Sequence, residues 1–398
     1  TNYNVEKYDI DGVFFDCFDA RPCYGGECVA DMKKMGLNPA NENDVKEFAR
    51  LDYLAFCTEL KEIVGNESQE RMGLVIEEKD IEYIYTYFTK NSEALNDEFN
   101  KKRKLDLNYE FMDNRLRVNI SNSMDFHIFT IRIIKKELPD FNELELPNIL
   151  KKISLLPQGL ILVTGKSNTG KSTTLNALVN EINKTENKKI LMLENPIEYM
   201  HVSKKSLIIQ KEVGTGKDCP KYIDGVKNAL REDCDILVVG EIRDRETMEA
   251  TIEMAEAGHL VIGTMHTRSC AETIDRILSF FDLSDQMAIK CIISSVLKAV
   301  ITQRLIKGLN EELVMIPEIM IVDDVIGGLL RKEKFSTSEI EDAIQSRMEK
   351  GNLSLINSLA EAVLDDKISL TQAHKEIEES RYEVLNRTIV QLQRKREL

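Results

Sequence analysis

The chain lacks several features, and each absence excludes a class of protein. Its 398 residues include no tryptophan and only 6% aromatic residues, and no apolar run approaches the 18 residues that a membrane-spanning helix needs. The first residues do not form the basic and then apolar pattern of a signal peptide. The eight cysteines never occur as C-x-x-C, which removes the support for a paired zinc knuckle or a thioredoxin-like redox site. We therefore expect a reduced, cytoplasmic protein.

Basic residues are fewer than acidic residues in this chain. Lys and Arg number 53 against 68 Asp and Glu, giving a formal net charge of −15. This balance argues against general affinity for nucleic acid or anionic lipid, although a local basic patch is compatible with it. Cys17, Cys23 and Cys28 are close enough in sequence to suggest a metal site, but their irregular spacing is more typical of free thiols.

The most informative stretch is a phosphate-binding motif. The apolar run 160–164 is followed by G-x-x-x-x-G-K-S at 165–172 and then by a helix-compatible run, 173–180. Strand, glycine loop and helix form the context in which this motif cradles phosphate groups with backbone N–H donors. We predict that Lys171 reaches the β- and γ-phosphates of ATP and that the Ser172 hydroxyl holds Mg²⁺. The predicted nucleotide-binding residues are Gly165, Ser167, Asn168, Thr169, Gly170, Lys171, Ser172 and Thr173.

The order of apolar patterns predicts the domain plan. Residues 1–137 form an α/β domain, with a helix at 43–63 and late strands at 109–111, 115–120 and 126–134. A linker rich in proline and acidic residues follows at 138–147. In 148–285, strands alternate with helices, which implies a parallel sheet whose ligands bind at the carboxyl ends of the strands. From about 282 the strand signal fades, and 286–398 is expected to be a helical region.

Two strand ends in that core carry acids. The apolar strand 235–240 ends at Glu241, 70 positions after Lys171, where an acid beside the phosphate loop orients Mg²⁺ or the attacking water. The strand that ends at Glu194 leads into Asn195-Pro196-Ile197-Glu198-Tyr199-Met200-His201. Spacing alone leaves two readings of this box equally open: a general base for water, or a charged turn.

A histidine follows a third strand of the core. His266 falls at the end of the apolar stretch 260–265, between threonines, where a neutral imidazole can contact a γ-phosphate. His259 lies at the opposite end of that strand and is expected to be structural.

These motifs, in this order and spacing, closely resemble the secretion ATPase superfamily, the hexameric motors of type II secretion, type IV pili and type IV secretion. The resemblance spans roughly residues 115–368 and is greatest to the retraction-type pilus motors. It implies a RecA-like P-loop ATPase core, a smaller α/β (PAS-like) amino-terminal domain and a helical carboxyl-terminal region. It further implies a homohexamer at the inner face of the cytoplasmic membrane, an inner-membrane platform protein as partner, and pilin as an indirect partner.

The resemblance also assigns roles to individual residues. Glu198 becomes the base, Glu241 the acid that orients Mg²⁺ and water, and His266 the phosphate sensor. The family's R-x-R-V-N stretch appears with Arg115 and Arg117, and its later arginine as Arg132; these side chains complete the nucleotide site in such motors. Without the resemblance, the three arginines are equally compatible with solvated strand positions.

The sequence departs from the family at four positions. Asn195 replaces an acid, Lys166 a proline and Asn168 a glycine of the phosphate loop, and Gly327 replaces the first arginine of the retraction signature. No four-cysteine zinc insertion of the extension motors is found. Retraction is the expected function, with pilus assembly or type II or IV secretion as the alternative. A RecA-like nucleic-acid translocase and a slowly hydrolysing regulatory subunit are rivals of other classes, and we expect no nucleic-acid partner.

Overall fold

The computed structural model describes residues 5–8, 13–16, 71–75, 85–86, 88–90, 92–111, 114–123, 126–134, 138, 140–214, 217–310 and 312–397. Within this range the chain divides into two units, Thr1–Lys136 and Glu137–Leu398. The three early cysteines and the predicted helix at 43–63 lie outside the described residues. Cys219, Cys234, Cys270 and Cys291 are free thiols.

The first unit is built on a six-stranded sheet. In chain order its elements are β1 (Val5–Tyr8), β2 (Val13–Asp16), β3 (Arg71–Val75), α1 (Glu93–Lys102), β4 (Lys104–Phe111), β5 (Asn114–Ser123) and β6 (Phe126–Ile134). The strand order is β1-β3-β2-β6-β5-β4, and among these described strands only β2 and β3 form a parallel pair. The last strand has the predicted bounds, whereas β4 and β5 include the predicted strands 109–111 and 115–120 and extend beyond them. Val118, Ile120 and Phe129 are fully buried, so one side of this sheet forms a core.

The second unit is a seven-stranded sheet covered by helices. Its first half comprises α2 (Ile149–Ser154), β7 (Gly159–Thr164), α3 (Lys171–Thr185), β8 (Lys189–Glu194), β9 (Leu207–Glu212), α4 (Tyr222–Ala229), β10 (Ile236–Val239), α5 (Arg245–Glu256) and β11 (Leu260–Met265). Two later strands, β12 (Leu297–Lys307) and β13 (Leu313–Ile321), belong to the same sheet, and the strand order is β13-β12-β7-β11-β10-β8-β9. Every neighbouring pair is parallel except β12–β13. The expected parallel α/β core is therefore present.

The central strands are apolar on both faces, which is typical of a parallel sheet between helix layers. Along β7, Leu160 and Leu162 contact one core cluster, and Ile161 and Val163 contact the other. All four side chains are fully buried. In the predicted linker, 138–147, Phe141 and Leu146 are 2% and 6% exposed and belong to the second cluster.

The carboxyl-terminal region differs from the prediction of helices alone. It comprises α6 (Cys270–Ser279), α7 (Leu283–Val296), β12 (Leu297–Lys307), β13 (Leu313–Ile321), α8 (Asp324–Leu330), α9 (Thr337–Ser346), α10 (Leu355–Leu364), α11 (Leu370–Lys375) and α12 (Tyr382–Arg396). The two strands extend the core sheet beyond β7. The sequence signal failed here because the run 299–301 is buried on both faces of the sheet and so lacks the alternation of a half-buried strand.

Candidate functional site

Four chain segments meet at one edge of the core sheet. Strands β7, β11, β10 and β8 are adjacent and parallel, so their carboxyl ends lie side by side. The phosphate loop follows β7, His266 follows β11, Glu241 follows β10, and the segment with Glu198 follows β8. Four separate sequence predictions are thus brought to a single location, the edge where ligands of open α/β sheets bind.

The backbone of the phosphate loop requires glycine at its first position. Gly165 has φ 147°, and a Cβ there would lie 2.5 Å from Thr169 Oγ1 and 2.6 Å from the Gln303 carbonyl oxygen. Gly170, with φ 79°, precedes the first residue of α3 and makes no side-chain cap. The N-terminus of a 15-residue helix therefore adjoins the loop. Its first N–H groups and positive dipole end suit a phosphate group.

The Lys171 ammonium lies over this loop. It donates hydrogen bonds to the carbonyl oxygens of Gly165 at 2.9 Å and Lys166 at 2.6 Å, and it lies 3.4 Å from His266 Nδ1. Burial lowers the pKa of Lys171, whereas the carboxylates of Glu241 and Glu198 oppose that shift. Glu198 is therefore close enough to the loop lysine to act on it electrostatically.

His266 and Glu241 form a second group at this edge. His266 Nε2 donates to Glu241 Oε1 at 3.1 Å, and Arg243 holds the same carboxylate with two guanidinium nitrogens. Burial and then Lys171 lower the pKa of His266, although Glu241 opposes them. The neutral Nε2–H tautomer satisfies both contacts, since Nδ1 then accepts from Lys171. His259, by contrast, lies at the other end of β11, where its Nδ1 is 2.8 Å from the Cys234 carbonyl oxygen.

The segment with Glu198 leaves β8 through a cis Asn195–Pro196 peptide bond. Asn195 is exposed, so the replacement of the family's acid there leaves no buried group unpaired. Ile197 is 8% exposed, so the turn carries a buried apolar side chain. The Tyr199 hydroxyl then lies 3.3 Å from Thr173 Oγ1 at the start of α3. These contacts place Glu198 next to the phosphate loop.

The predicted arginines lie on neighbouring strands of the first unit. Arg117 of β5 is paired in register with Arg132 of β6, and Arg115 with Ile134. Arg117 is partly buried, and for the other two only the backbone is described. Their role as phosphate ligands stays a prediction.

A magnesium site at Ser172 and Glu241 agrees with the donor types present. A hydroxyl and a carboxylate are the oxygen ligands that Mg²⁺ takes beside nucleotide phosphates. Glu241 is partly buried, at 17% side-chain exposure, and occupies the strand end beside the loop. In the described parts of the chain, no group of three or more His, Cys, Asp or Glu side chains forms an all-protein metal site. Ser172 and Glu241 are of the donor types that would hold a metal shared with a nucleotide.

Sequence reasoning missed several residues of this site. Arg243 donates hydrogen bonds to the Glu241 carboxylate, and the Tyr199 hydroxyl contacts α3. Gln303 donates from Nε2 to the Thr169 carbonyl oxygen at 2.5 Å. His201 and Asn176 are joined by a 2.6 Å hydrogen bond. His201 and Tyr199 belong to the box around Glu198, and both lie within four residues of it, which was the available signal. Gln303 was given no role, because its strand was not predicted.

Comparison with known proteins gives concordant matches. A family model described as type II/IV secretion system protein matches residues 112–395. A twitching motility protein of Neisseria gonorrhoeae is 34% identical over 333 residues, 82% of this chain and 86% of that protein. The type IV pilus retraction ATPase PilT of Pseudomonas aeruginosa is 40% identical over 232 residues, 58% of this chain and 66% of that protein. Among solved structures, a pilus retraction motor PilT with bound ADP superposes with a TM-score of 0.69 and 30% identity, covering 77% of this chain and 86% of that one. None of the described helices is both long enough and apolar enough to cross a bilayer.

Proposed function

Because the chain belongs to the family of type II/IV secretion system proteins and is an ATPase, we propose that it is a hexameric motor that powers retraction of a type IV pilus. The observation that carries this proposal is the meeting of the phosphate loop, Glu198, Glu241 and His266 at one sheet edge. A twitching motility protein and a type IV pilus retraction ATPase among its relatives support retraction as the direction of the work. The pilus platform protein at the inner face of the cytoplasmic membrane is the proposed partner, and pilin is an indirect one.

Each residue of the site receives a role in hydrolysis. Lys171 and the N-terminal N–H groups of α3 bind the β- and γ-phosphates, and Glu198 accepts a proton from the attacking water. Mg²⁺, held through Ser172 and Glu241, would neutralise charge that develops on the phosphate oxygens. Neutral His266, which bridges Lys171 and Glu241, is placed to respond when the γ-phosphate leaves.

The arginines Arg115, Arg117 and Arg132 couple this chemistry to movement. A guanidinium is a fixed fork of donors suited to phosphate oxygens. We assign these three, on adjacent strands of the first unit, to the γ-phosphate in one domain arrangement. Loss of that phosphate then releases the arrangement, so that hydrolysis drives rotation of one unit against the other in each subunit of the ring.

The test of the site is ATP turnover by the purified protein with Mg²⁺, beside Lys171→Ala, Glu198→Ala and Arg115→Ala. We expect each variant to lose at least ~100-fold in kcat, since each removes a group that acts on the transition state. Turnover that survives Glu198→Ala and Arg115→Ala, but not Lys171→Ala, would refute the assigned base and arginine. Stimulation of turnover by DNA in a salt-sensitive manner would favour the nucleic-acid translocase instead.

A further inference from the structure

The helix that begins at the phosphate loop carries buried asparagines on one side. Asn176, Asn180 and Asn183 of α3 are 0%, 8% and 1% exposed. Their spacing of four and three residues places them on a single helix face. Asparagine is a weak helix former whose burial is costly unless its amide is hydrogen-bonded. Three such residues on one buried face therefore need a partner, and the structure supplies one.

That partner is the chain between β8 and β9, residues 195–206, here named the base segment because it contains Glu198. His201 Nε2 donates to Asn176 Oδ1 at 2.6 Å. Asn183 donates to the Val202 carbonyl oxygen at 2.9 Å and accepts from the Lys204 N–H at 2.8 Å. Asn180 Oδ1 lies 3.4 Å from Lys204 Nζ. All three asparagines thus bind the same segment, and the backbone of that segment is held as well as its side chains.

The hydrogen bond between Asn176 and His201 is part of a longer series of hydrogen bonds. Asn176 Nδ2 donates to the carbonyl oxygen of Ser172 at 2.8 Å, one turn back along α3. On the other side, the His201 N–H donates to Gln210 Oε1 at 2.9 Å, and Gln210 Nε2 donates to the Tyr199 carbonyl oxygen at 2.7 Å. An unbroken set of hydrogen bonds therefore runs from the first turn of α3 to Tyr199, the residue that follows Glu198.

We propose that His201 is a positioning residue that couples the phosphate-loop helix to the catalytic base, with Asn176 as its partner. The inference rests on the proposed role of Glu198 and extends it. A shift of α3 on nucleotide binding would move the base segment with it, because the asparagine face holds that segment at three points. His201 touches no substrate; it acts only by holding Glu198 at the distance from which a proton can be taken.

Two substitutions at His201 separate the donor from the rest of the side chain. The amide nitrogen of glutamine reaches the position of Nε2, whereas that of asparagine reaches only as far as Nδ1. We expect His201→Gln to keep kcat within ~3-fold of wild type and His201→Asn to lose ~10- to 100-fold, the loss that follows from a misplaced catalytic group. The affinity for ADP and the KM for ATP should stay within ~3-fold in both, since the loop contacts of Lys171 are untouched.

A matched control is available at another histidine. His374 Nε2 lies 3.3 Å from Asn386 Oδ1 in the carboxyl-terminal helices, so His374→Asn removes the same kind of contact elsewhere. Its kcat should equal that of wild type. If His201→Asn does not fold, Tyr199→Phe serves in its place, because it deletes only the hydroxyl that meets Thr173 from the same segment. We expect that variant to lose ~3- to 10-fold in kcat with unchanged ADP affinity.

Introducing His201→Asn into Glu198→Gln distinguishes the positioning role from a general loss of structure. If His201 acts through Glu198, the second substitution adds less than ~3-fold to the loss, whereas independent effects multiply. A full multiplication, or a parallel fall in ADP affinity, would overturn the proposal. Wild-type turnover in Glu198→Gln alone would instead refute the base assignment, and the two failures are therefore distinct.

Discussion

At the scale of single residues, the phosphate loop shows how one departure from the family is accommodated. Asn168 stands where the family has glycine, and its φ is 61°. Asparagine enters this left-handed region more readily than other residues with a Cβ, so the loop keeps its shape without the glycine. The replacement of glycine at this position is therefore compatible with phosphate binding.

The same position gives a test of the loop conformation. Asn168→Gly should bind ADP within ~3-fold of wild type, whereas Asn168→Val should bind ~5- to 30-fold more weakly, because a β-branched residue costs about 1–2 kcal/mol in the left-handed region. Titration with a fluorescent ADP analogue measures both. Ser167→Val, one residue earlier at an exposed position without positive φ, is the control and should lower the affinity for ADP by a smaller factor. Equal losses at 167 and 168 would contradict the backbone argument.

His201 links stability to pH. Burial, together with nearby Lys204, lowers its pKa to about 4 from the ordinary value of 6.5. Between these two values the unfolded chain binds more protons than the folded one, so the free energy of unfolding falls as pH decreases from about 6.5 to about 4. The slope from this group approaches about 1.4 kcal/mol per pH unit at most. Urea unfolding at a series of pH values should therefore show a shallower slope in His201→Gln than in wild type, and identical slopes would contradict the assignment.

At the scale of secondary-structure elements, β12 connects the phosphate loop to the carboxyl-terminal helices. Gln303, 1% exposed, donates to the Thr169 carbonyl oxygen. Its neighbour Arg304 donates to the Glu376 carbonyl oxygen at 2.5 Å, beyond α11. Adjacent residues of a strand point to opposite faces, so β12 can hold the carbonyl group of Thr169 on one face and that of Glu376 on the other.

Removal of the strand's contact with the loop should weaken nucleotide binding. In Gln303→Ala the Thr169 carbonyl loses its donor, and the glycine loop loses support at the point where it turns. We expect ADP affinity to fall ~5- to 30-fold, in line with a lost hydrogen bond and an unsatisfied, partly buried carbonyl group. Isothermal titration beside Gln158→Ala, an exposed glutamine that precedes β7, provides the measurement and its control. Unchanged affinity would show that β12 does not support the loop.

Helix α8 contains two adjacent glycines in different surroundings. A Cβ at Gly327 would lie 3.2 Å from the Ser294 carbonyl oxygen of α7, whereas one at Gly328 would meet nothing within 4 Å. The close approach of α8 to α7 explains why glycine is accommodated at 327, where the family's retraction signature has arginine.

The two glycines form a matched pair for a stability measurement. Gly328→Ala should raise the free energy of unfolding by about 0.5–1 kcal/mol, since alanine loses less conformational entropy in a helix. Gly327→Ala has the same entropic advantage, but its Cβ must displace the α7 backbone. We therefore expect the free energy of unfolding to stay unchanged or to fall. Urea denaturation compares them directly. An equal gain at both positions would contradict the packing seen between the two helices.

At the scale of the whole molecule, the sequence predicted most of the core and the reasons are physical. Strand β11 has the predicted bounds and β8 ends at the predicted residue, Glu194, because apolar runs of strand length alternate with helical periodicity. The phosphate loop is recognisable because its conformation demands glycines at set spacing. His266 and Glu241 were predicted to share a site, since parallel strands carry both to one edge.

The parts that were not predicted depend on contacts between distant residues. Strand β12 pairs with β7, more than 130 residues earlier in the chain, and its buried faces conceal its period. The Asn176–His201 contact joins a helix to a loop, and neither residue alone signals the other.

The most direct test of the central claim uses the cells from which the chain comes, with Lys171→Ala in place of the wild-type gene. Fluorescently labelled pili would be followed by time-lapse microscopy. If the chain is the retraction motor, the variant cells extend pili normally, retract them at least ~10-fold less often and accumulate surface pili, because Lys171 is required for the turnover that drives retraction. Variant cells that form no pili would contradict the account and identify an assembly motor, and cells with normal extension and retraction would contradict any role in this pilus.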